Sequence, residues 1–184
     1  MSQAAEQIAT LQELIDDVAN IATTVHTVSG HAETPEPARK VLVGGLNYLL
    51  DLLDIFPDHY KGLGLADDVA VLCFAAHKAV ELGANHAALS RAAASAARLT
   101  PIFADLATPL ERFVEALPKR EVRGRTTDQI VASKDARAGF DADVKRAIAK
   151  LAPSPIEIAV GGPEAALKEL LKMTRSALGK AGLL

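Results

Sequence analysis

A chain of 184 residues, of which 49% are hydrophobic, is long enough to bury the core of one domain. Aromatic residues make up only 4% and tryptophan is absent, which argues against a stacking platform for single-stranded nucleic acid. The single cysteine, Cys73, excludes an intrachain disulfide and is typical of a reducing compartment. The N-terminus has neither a basic nor an apolar segment, so we expect no signal peptide. No stretch reaches the roughly 18 apolar residues that a transmembrane helix needs.

The net charge of −3 conceals a gradient along the chain. Residues 1–68 contain eleven acidic and three basic residues, whereas residues 119–184 contain eight acidic and thirteen basic ones. Such an asymmetry indicates either a basic segment that meets an anionic partner or an attraction between the two ends of the protein. The basic excess is diluted by acidic residues, which argues against nucleic-acid binding.

Hydrophobic periodicity predicts helices along most of the chain. Between residues 3 and 28 apolar side chains recur every three or four positions, which is typical of a helix with one buried face. Prolines and glycines mark the predicted ends, and Thr34, Asn85, Thr100 and Thr108 are candidate N-caps. The predicted helices cover residues 3–28, 36–55, 66–82, 84–99, 101–107, 109–117, 128–150 and 163–179. The expected fold class is all-α, a helical bundle.

Glycines and a polar segment give this bundle its expected organisation. Gly44-Gly45, inside the second helix, should permit the close approach of another helix. Residues 119–127 are charged and without period, which predicts an exposed linker. We therefore expect a helical core at 1–118 and, at 119–184, the linker and a C-terminal helical extension. Residues 156–160 alternate like a strand, but a single short strand is not stable alone, so we expect them to be extended.

A turn rich in proline, glycine and aspartate joins the second and third predicted helices, and it is the first candidate site. The set that matters is Asp54, Asp58, Asp67 and Asp68. A carboxylate beside a core costs free energy unless it is paired, hydrogen-bonded or bound to a cation. These side chains could cap helix ends and bond the backbone of the turn. Alternatively, several converging carboxylates could bind Mg²⁺, Ca²⁺ or Mn²⁺, although the spacing matches no known loop motif. The expectation is no cofactor, with a divalent cation left open.

Two further groups of side chains are weaker candidates. Cys73, His77 and Glu81 are each four residues apart on the third helix, a spacing that permits metal ligation, but their neighbours form the core face. The alternative interpretation is a small buried thiol beside a histidine at the edge of the core.

The second group is basic: Lys119, Arg120, Arg123 and Arg125. Such a run forms either a solvated face or a contact with membrane phosphates or an acidic partner.

Part of the acidic turn resembles a known family. The sequence Tyr48-Leu-Leu-Asp51-Leu-Leu-Asp54-Ile-Phe-Pro57-Asp58, followed by Gly64-Leu-Ala-Asp67-Asp68, is similar to the core motif of the YkvA-like family, a bacterial domain of unknown function. Leu52 and Lys61 stand where that family has prolines. The resemblance implies a small helical domain that is often thought to associate with membranes, and it implies no established activity.

The expected function is a non-enzymatic interaction or scaffold module, with enzymatic activity left undecided. One alternative is a divalent-cation-binding module, regulatory or enzymatic, that uses the acidic turn. Another is a peripheral membrane protein that uses the basic extension. The expected partner is an unknown protein, and a second copy of the chain or a membrane surface is left open. The expected location is the cytoplasm, at its membrane periphery if the last alternative holds.

Overall fold

The computed structural model describes residues 2–51, 62–158 and 161–184, and within them the predicted all-α fold class is confirmed. A bundle of α-helices is interrupted by one short antiparallel hairpin. The α-helices are α1 (Gln3–Asp16), α2 (Val18–Ser29), α3 (Glu36–Leu50), α4 (Ala66–Glu81), α5 (Ala87–Phe103), α6 (Ala107–Ala116), α7 (Thr127–Ala132), α8 (Lys134–Ile148) and α9 (Gly162–Lys180). The hairpin strands are β1 (Glu121–Val122) and β2 (Arg125–Thr126), and short 3-10 turns at Ala104–Leu106 and Leu117–Lys119 flank α6.

Helix α4 is the centre of the bundle. Every residue from 66 to 76 is buried, and the helix packs against α2, α3, α5 and α6. A helix that is apolar on all sides is stable only when other elements surround it. Its small side chains, many of them alanine, let these neighbours approach closely.

The predicted close approach at the glycine pair is confirmed. A Cβ atom added at Gly45 would lie 2.9 Å from the Cβ atom of Ala75 on α4. A Cβ atom added at Gly44 would lie 3.0 Å from the backbone nitrogen of Pro118. The absence of side chains at Gly44 and Gly45 therefore lets two other elements pack against the backbone of α3.

The boundaries of the first helices differ from the prediction. The predicted helix at 3–28 is two helices, because Asp17 leaves the helical conformation at φ −94° and ψ 3°. The Asp17 carboxylate accepts a hydrogen bond from the Asn20 side chain at 2.7 Å, a local alternative to regular helix that aspartate favours. Thr34 is not an N-cap, since its hydroxyl donates to the carbonyl oxygen of Val28 and Pro35 takes the capping position.

The later boundaries show the limits of proline as a signal. The end of α3 is at Leu50, and the predicted end at residue 55 lies outside the described residues. Pro101 does not begin a helix, because α5 continues through it to Phe103. The proline lies in the last turn, and the helix ends two residues later, before Ala104, which has a φ of +50°. The predicted cap at Asn85 is wrong as well, since His86 is the N-cap.

The segment predicted to be an exposed linker is a hairpin that packs on α3, so that prediction is wrong. Val122 is buried, and the Thr126 hydroxyl and the Gln129 side chain form a capping box that begins α7. Arg123 and Gly124 make the turn with φ values of +52° and +74°. Helices α7 and α8 then pack on α3, α8 also contacts α2, and α9 packs along α1. Residues 119–184 and 1–118 thus contribute to one continuous apolar core.

None of the helices in the described ranges is long and apolar enough to cross a membrane.

Candidate functional site

The acidic turn meets the core at the start of α4. Asp67 and Asp68 occupy the first helical turn, where carboxylates are stabilised by the helix dipole, and both are buried. The Asp67 Oδ2 atom accepts a hydrogen bond from the hydroxyl of Tyr48 on α3, at 2.5 Å. Tyr48 is itself buried and makes an edge contact with the ring of Phe113 on α6. The two aspartates therefore belong to the packed interface between α3 and α4.

A cavity of about 670 Å³ opens beside this interface, and we call it the junction cavity. It lies between the end of α3, the start of α4, the hairpin and the end of α8. Its lining residues are Leu49, Leu50, Asp51, Leu65, Asp68, Arg123, Asp143, Arg146, Ala147, Lys150, Leu151 and Ala152. The acidic turn and the basic C-terminal third of the chain thus meet at one place.

Three of the four predicted basic residues lie at this junction and are engaged within the protein, whereas Lys119 is exposed at the end of the 3-10 turn that precedes the hairpin. Arg120 donates to the Asp51 carboxylate at 2.8 Å, which joins the hairpin to the end of α3. Arg125 donates to the carboxylate of Asp143 on α8. The hydrogen bonds from Arg125 and then Arg146 hold the pKa of the Asp143 carboxyl below its ordinary value of 3.8. Arg120 and Arg125 therefore join the hairpin to α3 and α8.

Arg123 combines an unfavourable backbone with specific side-chain contacts. Its φ of +52° lies in the left-handed region, which costs a non-glycine residue about 1–2 kcal/mol. Hairpin turns of this kind favour asparagine at the first position. The Arg123 Nε atom donates to the carbonyl oxygen of Leu50 at 3.2 Å, and Nη1 lies 3.8 Å from the Asp143 carboxylate. The side chain thus caps the end of α3 at the edge of the junction cavity.

The cation site predicted from the sequence is only partly placed. Asp67 and Asp68 are adjacent and buried, whereas Asp54 and Asp58 lie outside the described residues. Within the described ranges, no group of three histidine, cysteine, aspartate or glutamate side chains is arranged to hold a metal ion. Cation binding at the acidic turn therefore stays a prediction.

The stripe on α4 is divided between the core and the surface. Cys73 is fully buried, and burial, with a smaller contribution from Asp17, raises the pKa of its thiol to about 12. A thiol must lose its proton to act as a nucleophile or a metal ligand. The His77 and Glu81 side chains are about half exposed, with His77 Nε2 3.6 Å from Glu81 Oε1. The structure brings His77 and Glu81 together and leaves Cys73 in the core.

A second surface depression, shallow and open, lies between α1 and α9, and the sequence does not predict it. We call it the α1–α9 groove, and its volume is about 650 Å³. Its lining is mostly apolar with a basic edge: Ala4, Glu164, Leu167, Lys168, Leu171, Lys172, Arg175 and Ser176. The amphipathic pattern of residues 163–179 predicts an inner face, but only the packing of α9 on α1 determines that part of the apolar face remains open.

No protein-family model, curated protein or solved structure matches this chain. The similarity of residues 48–72 to the YkvA-like motif therefore remains a prediction that rests on the motif itself.

Proposed function

We propose that the protein is a non-enzymatic interaction module whose α1–α9 groove binds an acidic amphipathic helix of a partner protein. The observation that supports the proposal is the pairing of an open apolar floor with a basic edge along one helix. Amphipathic helices bind in such grooves by placing apolar anchors at helical spacing against the floor.

The floor of the groove has helical spacing. Leu167 and Leu171 are one turn apart on α9 and half-buried, and they pack against the core while part of each side chain stays open to the groove. Ala4 on α1 is small and leaves room above them.

The edge of the groove selects the charge of the occupant. Lys168 and Lys172 are exposed, are also one turn apart, and form a basic row parallel to the leucine row. Arg175 extends this side and donates to both carboxylate oxygens of Asp105, at 3.1 and 2.8 Å. A helix with adjacent apolar and acidic rows is complementary to both rows at once.

Glu164, the acidic residue at one end of the groove, already has a hydrogen-bond partner within the protein. The Ser2 hydroxyl donates to Glu164 at 2.7 Å, which holds the pKa of that carboxyl below its ordinary value. Glu164 marks one limit of the basic row.

A second candidate function is cation binding at the acidic turn. Its support is the burial of two adjacent carboxylates, Asp67 and Asp68, which a bound cation would stabilise. Association of the hairpin with anionic lipid has less support, because Arg120 and Arg125 already bond to Asp51 and Asp143.

The experiment is a selection from a displayed library of helical peptides, made on the wild-type protein. We expect enriched peptides with apolar residues at helical spacing flanked by aspartate or glutamate. The same peptides should bind Leu171→Ser about tenfold more weakly, because an apolar anchor loses its contact. Leu82→Ser, a half-buried leucine outside the groove, is the matched control and should bind them as the wild type does. Enriched peptides that lack acidic residues, or that bind Leu171→Ser unchanged, would contradict the proposal.

A further inference from the structure

The junction cavity combines basic groups and apolar walls in a way that the proposed docking of a partner helix does not use. Its volume of about 670 Å³ is within the range of sites that bind small molecules. Leu49, Leu65 and Leu151 are half-buried and give it an apolar wall. Such sites typically combine apolar walls with a few polar groups that fix the orientation of a ligand.

The junction cavity brings acidic and basic side chains together, and among the described residues its lining carries three of each. Among the described residues, three carboxylates line it: Asp51, Asp68 and Asp143. Three cations also line it: Arg123, Arg146 and Lys150. Arg120 and Arg125 lie outside the lining and donate to Asp51 and Asp143. The carboxylates of Asp51 and Asp143 are thus neutralised by arginines, while basic groups remain for a ligand.

Lys150 and Arg123 are the available cations. Lys150 is exposed just after α8 and makes no ion pair with any residue in the described ranges. Arg123 uses its Nε atom on the Leu50 carbonyl oxygen, and its Nη1 atom lies too far from Asp143 for a hydrogen bond. Terminal guanidinium nitrogens suit the planar recognition of a carboxylate or phosphate.

The backbone at Arg123 is an independent observation. A strained residue at a position where asparagine or glycine would be relaxed points to a function of its side chain. The hydrogen bond to Leu50 fixes the guanidinium at the cavity. The strain thus coincides with the placement of a cation.

From these contacts we infer that the junction cavity binds a small amphipathic anion. The head of the ligand is a carboxylate or a phosphate monoester that meets Arg123 and Lys150. Its apolar body lies on the leucines of the wall. The same head group occurs in free metabolites and in lipids, so the test includes one arm for each source.

The test is a titration of the protein with hexyl phosphate and with hexanoate, followed by the NMR signals of its leucine and alanine methyl groups. We expect saturable shifts for the methyl groups of Leu49, Leu65, Ala147 and Leu151 with at least one of the two anions. Hexanol, which has the same apolar body without charge, should bind at least about tenfold more weakly, because it lacks a charged hydrogen-bond acceptor.

Matched variants separate the cavity from general attraction to a basic surface. Lys150→Gln should weaken binding about tenfold. Lys145→Gln, an exposed lysine of α8 outside the cavity lining, should leave binding unchanged. The inference is overturned if neither anion gives saturable shifts at these methyl groups, if hexanol binds equally well, or if the two lysine variants behave alike.

Vesicles that contain phosphatidylglycerol identify the source of the head group once an anion binds. Lys150-dependent binding to these vesicles, together with hexyl phosphate or hexanoate binding, assigns the site to a lipid head group. Binding of the soluble anion without binding to vesicles assigns it to a free metabolite. Both outcomes support the anion site.

Discussion

Arg137 on α8 binds both oxygen atoms of Ser29, the last residue of α2. Its Nη1 atom donates to the Ser29 carbonyl oxygen at 3.1 Å, and Nη2 donates to the Ser29 hydroxyl at 3.0 Å. The Arg137 Nε atom donates to Asp141 at 2.8 Å, and the guanidinium lies 5.5 Å from the centre of the Phe140 ring. One side chain therefore satisfies the end of a helix and fixes α8 against the N-terminal part of the bundle.

The first prediction concerns this arginine. Replacing it with lysine, Arg137→Lys, should lower the free energy of unfolding by about 1–3 kcal/mol, because one ammonium group cannot replace the planar set of donors. Urea denaturation measures the change. Arg112→Ala, an exposed arginine on α6, is the control and should change stability by less than about 0.5 kcal/mol. If Arg137→Lys is equally neutral, Arg137 does not fix α8 to α2.

The second prediction concerns the contact between α3 and α4. Gly45→Ala should destabilise the protein by about 1–3 kcal/mol, because its Cβ atom would overlap the Cβ atom of Ala75. Gly179→Ala, on an open part of α9, is the matched control. It should be neutral or stabilising by up to about 1 kcal/mol, since alanine favours helix more than glycine does. Thermal unfolding of both variants tests the pair, and equal midpoints would exclude the tight contact.

The third prediction is a pH dependence that comes from Cys73. Burial raises the pKa of its thiol from 9.0 to about 12, so the folded protein keeps a proton that the unfolded chain loses. The stability is fully present below pH 9 and is lost as the pH rises from 9 towards 12. Between pH 8 and pH 10 the wild type should lose about 1.4 kcal/mol more than Cys73→Ala. Parallel pH profiles for the two proteins would mean that the thiol does not titrate differently on folding.

The sequence predicts most of the helices and one of their contacts, because local periodicity and small residues carry that information. Gly44-Gly45 is an example: the missing side chains indicate close packing before any neighbour is known. Pro101 is the opposite case, since a proline in the last turn of a helix looks like one in the first. The sequence does not predict the hairpin, because Arg123-Gly124 is not a common turn sequence. Its arginine donates to the carbonyl oxygen of Leu50, which is distant in the chain.

The candidate sites also differ in how far the sequence predicts them. The carboxylates Asp67 and Asp68 stand out in the sequence because acidic residues interrupt an apolar pattern. The sequence pattern predicts neither the junction cavity nor the α1–α9 groove, because each forms between elements that are far apart in the chain. The charge gradient was the one available signal for the junction, where Arg120 meets Asp51 and Arg125 meets Asp143.

The fourth prediction tests cation binding at the acidic turn. A cation that binds only the folded protein raises its thermal midpoint, by an amount that grows with cation concentration. If Asp68 is a ligand, then Mg²⁺, Ca²⁺, Mn²⁺ or Zn²⁺ should stabilise the wild type and not Asp68→Asn or Asp58→Ala. Equal midpoints with all four ions and with a chelator would reject a cation site at the turn.

The measurement that tests the central proposal most directly is the affinity of a labelled acidic amphipathic peptide, followed by fluorescence anisotropy. The double variant Lys168→Glu/Lys172→Glu reverses the basic row of the α1–α9 groove, and Lys134→Glu/Lys145→Glu makes the same change in charge on α8. We predict saturable binding to the wild type that weakens with added salt. It should be at least about tenfold weaker for the groove variant and little changed for the α8 variant. Equal affinity for the two variants, or no binding to the wild type, would contradict a groove that recognises an acidic helix.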